Sequence, residues 1–309
     1  MGWAGYISDV RRLRRAIDRD QLRLQFQPKA DMRTGRITGV EALCRWHSPR
    51  RGLIPPDDFI PRAEHSGAAI KALTDWTLDA ALGQARTWEL DGHTLSVAVN
   101  LSPRSVLDPH LVERISGLLA KWELSPSLIQ LELTETAVFG IADPERVSAT
   151  LRELSRIGFL IALDDFGTGY SSLARLRDLP IQKVKIDKSF VTRMDSRPND
   201  ALIVRSVIAL AKNLGLRVVA EGVESETVWR RLTDLGCDVA QGNYLSPPLD
   251  PPALIAWVRQ WEELYEEAHR MAEEMLERRL GPMDRRSGIE DRRYEGNGRR
   301  FVRDGDRIV

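Results

Sequence analysis

The sequence is short of the residues and runs on which several classes of protein depend. It has two cysteines, Cys44 and Cys237, which lie far apart without CxxC spacing and so argue against a disulfide framework or a zinc knuckle. No apolar run in the chain reaches the roughly 18 residues that a membrane span requires. The five histidines are scattered and form no metal-binding pair. The chain therefore lacks the sequence features of disulfide-rich, zinc-binding and membrane-spanning proteins.

Net charge is absent as well. Lysine plus arginine and aspartate plus glutamate both number 45, so no bulk field attracts nucleic acid or a membrane. The first residues, MGWAGYISDVRRLRRAI, carry charges where a signal peptide needs its apolar core. We expect a cytoplasmic protein with no nucleic-acid partner and no membrane span.

What the chain does have is a regular alternation of strands and helices. Short apolar runs predict strands at 96–99, 129–131, 160–163, 184–187, 218–220 and from 239 toward 245. Helices are expected at 8–20, 69–90, 109–122, 144–157, 200–214 and 226–235. Such alternation implies parallel strands with right-handed crossovers, and about eight strands in roughly 240 residues favour a closed barrel.

The first two strands differ from the rest. They are predicted at 22–28 and 37–46, and a turn at Thr34–Gly35 joins them. A connection this short suits an antiparallel pair. The predicted fold class is therefore α/β, a modified TIM (β/α)8 barrel with one antiparallel strand, followed by a long C-terminal helix and a flexible tail.

The chain divides into four predicted segments. They are an N-terminal helix leading into the barrel (1–20), the barrel (21–262), a helical extension (263–280) and a flexible tail rich in arginine and glycine (281–309). The extension is predicted from an apolar stripe at alternating spacings of three and four: Leu254, Trp257, Trp261, Leu264, Ala268, Met271 and Met275. Beyond Leu264, packing on the barrel and packing on a partner helix both remain open.

Polar side chains occupy the predicted carboxyl ends of successive strands. They are Glu41, Asn100, Glu132, Asp164, Asp165, Lys185, Glu221 and Gln241. In a parallel barrel these ends meet at one mouth, where the chemistry of such folds lies. Oxygen ligands without histidine or cysteine suit Mg²⁺ or Mn²⁺ rather than zinc. The five carboxylates exceed the needs of one ion and suggest two metals sharing Asp164, an arrangement used in phosphodiester displacement.

Asp164 and Asp165 follow a buried apolar strand directly. Neighbouring residues on a strand point to opposite sides, so both acids can face one ion only if the chain leaves strand geometry between them. We expect Gly167 and Gly169, just beyond, to permit that bend. The alternative is a solvated Asp-Asp turn that caps the next helix.

Nine motifs in order resemble a known family. They are FQP (26–28), EALCRW (41–46), FIPRAE (59–64), VNLS (99–102), LELTET (131–136), DDFGTGYSSL (164–173), KIDKSFV (185–191), VVAEGVE (218–224) and QG (241–242). From about residue 13 to 261 the chain resembles the EAL family, bacterial phosphodiesterases that linearise the second messenger cyclic di-GMP. One segment departs from the family pattern: Asn243 stands where an aromatic is usual, and no basic residue precedes Pro247, which affects how the second guanine is held.

The resemblance implies a metal role for the acids at the strand ends. Glu41, Asn100, Glu132 and Asp164 match ligands of a first Mg²⁺ or Mn²⁺ ion, and Asp164, Asp165 and Glu221 match ligands of a second. Glu221 is also a candidate general base. Lys185 is similar to the lysine that orients the attacking water in the family.

The remaining matches concern substrate and loop. Glu135 matches the glutamate that holds the DDFGTGYSS loop, which in the family lies near a dimer contact, so the resemblance implies a homodimer. Gln27, Leu43 and Arg45 resemble substrate residues, with Arg45 contacting a phosphate. Gln241 would lie beside the attacking water or the substrate. Asp187 either supports the site from behind a ligand or simply closes a strand end.

The function implied by the resemblance is metal-dependent hydrolysis of cyclic di-GMP to linear 5′-pGpG, inhibited by Ca²⁺. One alternative is a non-catalytic cyclic di-GMP sensor, although such modules generally lack one or more of the acids and here the set is complete. The other is an interaction scaffold acting through the C-terminal helix and tail. Because the sequence contains no sensory or GGDEF motif, we expect control to come from a partner protein in trans, from dimerisation or from the tail.

Overall fold

The computed structural model describes residues 3–140, 143–169 and 173–280. Within these ranges the strands are β1 Leu22–Asp31, β2 Ile37–Ser48, β3 Gly52–Ile54, β4 Ser96–Asn100, β5 Ile129–Thr134, β6 Leu160–Phe166, β7 Lys183–Ile186, β8 Arg217–Ala220 and β9 Val239–Gln241. The helices are α1 Trp3–Asp18, α2 Pro56–Glu64, α3 Gly67–Leu90, α4 Pro103–Val106, α5 Leu111–Trp122, α6 Glu135–Phe139, α7 Pro144–Ile157, α8 Leu173–Asp178, α9 Lys188–Val191, α10 Pro198–Asn213, α11 Glu226–Asp234 and α12 Pro251–Leu280.

Eight of the strands close into a barrel. Their order around it is β1, β2, β4, β5, β6, β7, β8 and β9, and β9 pairs with β1 to complete the circle. Strand β1 is antiparallel to both of its neighbours, whereas the strands from β2 through β9 run parallel around the barrel. The short strand β3 adds to the end of β2 outside the circle. The modified (β/α)8 barrel with one antiparallel strand is thus confirmed.

The reversal of β1 follows from its connection to β2. Asp31 closes the turn, because its Oδ1 accepts hydrogen bonds from the backbone N–H of Thr34 at 2.9 Å and from the Thr34 hydroxyl at 3.0 Å. Gly35 then adopts a positive φ of 65° that favours glycine. A parallel connection would need a crossover of about a dozen residues, so this turn can join only antiparallel strands.

Apolar side chains fill the space between the barrel and its helices. Strand β5 is buried on five consecutive residues, which a strand covered on both faces requires. Helix α3 packs across the outside, where the ring of Trp88 meets that of Phe26 edge-on at 4.8 Å. Side chains begin several helices at defined points, since Ser66, Thr134 and Ser225 each accept a hydrogen bond from the first turn that follows.

Most predicted element boundaries hold within three residues, with two exceptions. Helix α1 begins at Trp3, earlier than the predicted residue 8. Strand β9 ends at Gln241 and does not continue toward Leu245. The chain turns there, because the N–H of Tyr244 bonds to the carbonyl of Val223 and that of Leu245 bonds to Gly242.

The chain divides into two compact units, Met1–Glu263 and Leu264–Val309. Helix α12 extends to Leu280, and on it the side chains of Leu264 and Met271 are 59% and 53% exposed. The predicted flexible tail, 281–309, lies outside the described residues. Among the described helices, none combines the length and apolar character that crossing a membrane needs.

Gly39 marks a close approach between β2 and β4 that generates a prediction. A Cβ at this position would lie 2.5 Å from the backbone carbonyl oxygen of Ser96 and would also meet its hydroxyl. Gly39→Ala should therefore force the strands apart and cost about 1–3 kcal/mol of unfolding free energy. Urea unfolding of the variant and the wild-type chain measures this loss of unfolding free energy.

The matched control is Gly117→Ala on the exposed side of α5, where an added Cβ meets nothing within 4 Å. It should stabilise the chain by roughly 1 kcal/mol, because alanine is the better helix former. Equal stability of the two variants would contradict the close approach at Gly39.

Candidate metal centre at the barrel mouth

The structure gathers the predicted strand-end residues at one mouth of the barrel. Each comes from a different strand or the residue after it: Glu41 from β2, Asn100 from β4, Glu132 from β5, Asp164 from β6, Lys185 from β7, Glu221 after β8 and Gln241 from β9. Parallel strands in register bring their carboxyl ends to the same edge. Residues up to 200 positions apart in sequence, Glu41 and Gln241, thereby come within hydrogen-bonding distance.

Lys185 lies at the centre of this group. Its side chain is fully buried, and its Nζ lies 2.5 Å from Glu221 Oε1, 2.6 Å from Glu132 Oε2, 2.8 Å from Asp164 Oδ2 and 3.4 Å from Glu41 Oε2. Burial disfavours the ammonium charge, but the surrounding carboxylates outweigh it and raise the pKa of Lys185 well above its ordinary value. One buried cation therefore holds four acids together.

Glu132 has a second set of partners on its other oxygen. Its Oε1 accepts from Lys29 Nζ and from Gln130 Nε2, both at 2.5 Å. Burial alone would raise the pKa of Glu132, yet Lys185 and Lys29 lower it to about 2. Glu132 is thus an ionised, fully compensated carboxylate in the barrel interior.

Lys29 and Gln130 were missed by the sequence reasoning. The signal that could have found them is the period of two along a strand, which puts residues i and i+2 on the same face. Lys29 comes two residues after Gln27, and Gln130 comes two residues before Glu132. Both side chains therefore form a deeper polar layer behind the residues at the mouth.

Glu41 is oriented by amides. Asn100 Nδ2 donates to its Oε1 at 2.8 Å, and Gln241 Nε2 donates to its Oε2 at 2.8 Å. Gln241 also donates to Gln27 Oε1 at 2.9 Å, which links β9, β1 and β2 across the mouth. The two amides fix the carboxylate without adding positive charge, and the ammonium of Lys185 lies farther away at 3.4 Å.

The bend between the two aspartates lies at Asp165 itself. Asp165 has a φ of 54°, and the pairing of β6 with β7 shifts register between Leu163 and Phe166. Its N–H then donates to Asp164 Oδ1 at 2.8 Å. The expectation that the glycines beyond would provide this bend is corrected: the chain leaves strand geometry one residue before Phe166, in a conformation that aspartate tolerates better than most residues.

Among the described residues, Asp164, Asp165 and Glu221 form a cluster of carboxylates that could hold a metal ion. Their carboxylate oxygens lie within 4.8 Å of one another. Burial raises the pKa of Asp164 to about 6, with repulsion from Glu132 and Glu41 adding to it, and burial raises the pKa of Glu221 to about 8. Burial and then Asp187 raise the pKa of Asp165. Lys185 lowers the pKa values of Asp164 and Glu221, but it does not offset their burial and the repulsion from neighbouring carboxylates. A donor set made only of oxygen atoms, with more negative charge than one lysine compensates, fits a divalent metal ion.

Three further residues flank the cluster. Leu43 and Arg45 lie on the face of β2 that carries Glu41, and Arg45 Nε donates to Gln25 Oε1 at 3.0 Å. Leu43 and Asn100 also line a cavity of about 420 Å³ beside the mouth. Asp187 accepts a hydrogen bond from Ser189 N–H at 3.0 Å and so begins helix α9 while lying close to Asp165.

Glu135 connects the site to the loop after β6. Its side chain is 1% exposed, and Oε2 accepts from the N–H groups of Gly167 at 3.1 Å and Gly169 at 3.3 Å. Gly169 has no room for a side chain, since a Cβ would lie 2.8 Å from Glu135 Oε1. Residues 170–172 of the same loop lie outside the described residues.

Comparison with known proteins adds an independent observation. The sequence profile of the EAL domain matches residues 10–248. The chain belongs to the EAL domain family. The match includes every candidate site residue from Gln27 to Gln241, so the EAL domain in this chain contains the whole group at the barrel mouth.

Individual relatives agree with this assignment. The bifunctional diguanylate cyclase/cyclic di-GMP phosphodiesterase MucR of Pseudomonas aeruginosa is 42% identical over 247 residues, which are 80% of this chain and 36% of MucR. The cyclic di-GMP phosphodiesterase PdeR of Escherichia coli is 38% identical over 249 residues, 81% of this chain and 37% of PdeR. The chain thus spans little more than a third of either relative.

A solved structure matches the EAL domain along its whole length. It is described as the PaMucR phosphodiesterase in complex with c-di-GMP. The alignment covers 80% of this chain and 99% of the chain in that structure, with 41% sequence identity and a TM-score of 0.76.

The contact of Glu135 with the loop generates a prediction. Glu135→Ala should speed amide hydrogen exchange at Gly167 and Gly169 by about tenfold or more, because a hydrogen bond to a charged group contributes roughly 1.5–3 kcal/mol. Exchange followed by NMR or mass spectrometry measures this. Glu135→Gln is the matched control, since its side-chain carbonyl can still accept and should retain much of the protection. Unchanged exchange in Glu135→Ala would show that other contacts hold the loop.

Proposed function

We propose that this chain hydrolyses cyclic di-GMP to linear 5′-pGpG with the help of two Mg²⁺ or Mn²⁺ ions. The observation that carries the proposal is the complete set of five acids at one barrel mouth: Glu41, Glu132, Asp164, Asp165 and Glu221. Its support from relatives is that MucR and PdeR are named as cyclic di-GMP phosphodiesterases.

The residues that would hold the ions fall into two overlapping groups. Glu41, Asn100, Glu132 and Asp164 would hold one ion, while Asp164, Asp165 and Glu221 would hold the other. Two divalent ions in such a site lower the pKa of a water molecule and neutralise charge on the phosphate. The raised pKa values of Asp164 and Glu221 support this role, because they indicate where positive charge is needed.

The remaining chemistry belongs to the side chains of this chain. Glu221, next to Lys185, would accept the proton from the attacking water as general base. The water oxygen forms a bond to phosphorus, the bond from phosphorus to the 3′ oxygen breaks, and that oxygen takes up a proton to give the linear product. Lys185 would orient the water or oppose the developing negative charge.

Substrate contacts are assigned to the rim of the mouth. Arg45 would pair with a phosphate, whose charge its guanidinium fork suits. Leu43 would contact the substrate from the wall of the neighbouring cavity, and Gln27 and Gln241 would contact it from β1 and β9. Glu135 would act through the loop after β6, and Asp187 would support Asp165 from behind.

The assay that tests the function uses cyclic di-GMP with Mg²⁺ or Mn²⁺, and chromatography detects pGpG. Glu41→Gln and Asp164→Asn should each lower turnover by about 1,000-fold or more, since groups that act as a unit lose their effect together. Glu113→Gln, an exposed acid on α5, is the control and should keep full activity. Near-normal turnover in either site variant would contradict the ligand assignment.

The same assay separates the alternative functions. Binding of cyclic di-GMP by the wild-type chain without product would indicate a sensor, and no binding at all would indicate a scaffold. Excess Ca²⁺ should inhibit, because the ion is larger and tolerates irregular coordination that Mg²⁺ does not. Full activity in excess Ca²⁺ would contradict the Mg²⁺-like geometry.

We also propose how the chain is organised around this activity. The barrel at 21–262 would be the catalytic unit, with 1–20 leading into it and 263–280 as a helical extension. A cytoplasmic location suits Cys44 and Cys237, which are buried free thiols. Regulation would come from a partner protein in trans, from dimerisation or from the segment 281–309, with no nucleic-acid partner required.

The exposed apolar residues of α12 support a proposed homodimer. Leu264 and Met271 are more than half exposed and lie about two helical turns apart on one face of α12. Apolar stripes of this kind often mark an interface, whereas singly exposed apolar side chains are common. Leu264→Glu combined with Met271→Glu should lower the dimer fraction in sedimentation velocity, because charge opposes burial at an interface.

Leu90→Glu is the control for this variant, since Leu90 is an exposed leucine (71%) on a different helix, α3. It should leave the dimer fraction unchanged. An unchanged fraction in the α12 variant would exclude this helix from assembly, and a monomeric wild-type chain would contradict the dimer itself.

A further inference from the structure

Lys29 is a buried charge that the proposed reaction does not use. It lies on β1 with 5% of its surface exposed, and its Nζ is 2.5 Å from Glu132 Oε1. An ammonium group is costly to bury, and a pair with one carboxylate often fails to repay that cost. Apolar residues of similar length could fill the same space, so the position of this lysine calls for a reason beyond stability.

The geometry around Glu132 supplies that reason. Oε1 already accepts from both Lys29 and Gln130, and these two donors approach from the deeper layer of the barrel. Oε2 points toward the mouth, where Lys185 lies 2.6 Å away. The two oxygens of this carboxylate are therefore not equivalent: one is held by the interior, and the other faces the acids at the mouth.

We propose that Lys29 is a positioning residue for the metal centre. Together with Gln130 it occupies Oε1 of Glu132, so that Oε2 is the single oxygen this carboxylate offers to an ion. Mg²⁺ requires near-octahedral ligands at fixed distances, and a carboxylate free to swing or to bind through both oxygens would not provide them. The inference rests on the proposed metal site.

A positioning role and a purely electrostatic role for Lys29 predict opposite changes in metal affinity when the lysine is replaced. A cation behind a ligand repels a metal ion, so removal of its charge alone should tighten metal binding. Removal of a positioning contact should weaken it, since groups that orient metal ligands typically contribute about 10- to 100-fold in affinity. The sign of the change in Mn²⁺ affinity therefore separates the two roles.

The experiment is calorimetric titration of Mn²⁺ into the full-length chain. Lys29→Met should bind Mn²⁺ about tenfold or more weakly than wild type. The matched control is Lys183→Met. Lys183 is a half-buried lysine two residues before Lys185 on β7. It is close enough to interact with the charge of Glu132, but within the described residues it makes no hydrogen bond or ion pair to that carboxylate. This control removes the same charge and should bind Mn²⁺ as tightly as wild type or more tightly.

Two further variants test whether the effect passes through Glu132. Gln130→Leu removes the other donor to Oε1 without changing the charge, and it should also weaken Mn²⁺ binding. In a Glu132→Gln background, Lys29→Met should cause little additional loss, because the carboxylate that it positions is gone. Thermal unfolding of each variant without metal checks the fold, and if Lys29→Met does not fold, Gln130→Leu decides.

The outcomes are distinct. Wild-type affinity or tighter binding in Lys29→Met or Gln130→Leu would overturn the positioning role while leaving the metal site intact. If Lys29→Met lowered Mn²⁺ affinity equally in the wild-type and Glu132→Gln backgrounds, the positioning role would be overturned as well. No Mn²⁺ binding by the wild-type chain would overturn the proposed metal site and this inference together.

Discussion

The buried ammonium of Lys185 is the interaction on which the barrel mouth depends. Four carboxylates lie within 3.4 Å of its Nζ, and without it they would repel one another in a site that water scarcely reaches. The barrel makes this arrangement possible, because its parallel strands deliver one side chain each to the same point. A single cation on β7 thereby connects β2, β5, β6 and the end of β8.

Charge compensation around this cation is uneven. Glu132 has two lysines, and its pKa falls to about 2, whereas the pKa values of Asp164 and Glu221 rise to about 6 and about 8. Glu41, by contrast, is oriented by neutral amides. Glu132 therefore has two cationic partners, whereas Asp164, Glu221 and Glu41 share the one ammonium of Lys185. The two proposed ions would supply the positive charge that these three carboxylates lack.

The polar residues form two layers because strands place alternate residues on the same face. Glu132 at the mouth has Gln130 behind it on β5, and Gln27 has Lys29 behind it on β1. The reversed strand β1 contributes to this order, since it pairs with both β2 and β9 and so brings Gln27 and Lys29 between Glu41 and Gln241. The deeper layer contacts the upper one at Glu132, whose Oε1 accepts from both Lys29 and Gln130.

The sequence by itself determined the alternation of strands and helices, the antiparallel first pair and the acids at the strand ends, because period, turn length and strand termini are local properties of the chain. Only the tertiary structure decided that Lys29 meets Glu132, 103 positions away, that Asp165 makes the bend, and that β9 ends at Gln241. These depend on strand register and on closure of the barrel. Register joins residues distant in sequence, and no local pattern specifies which of them will meet.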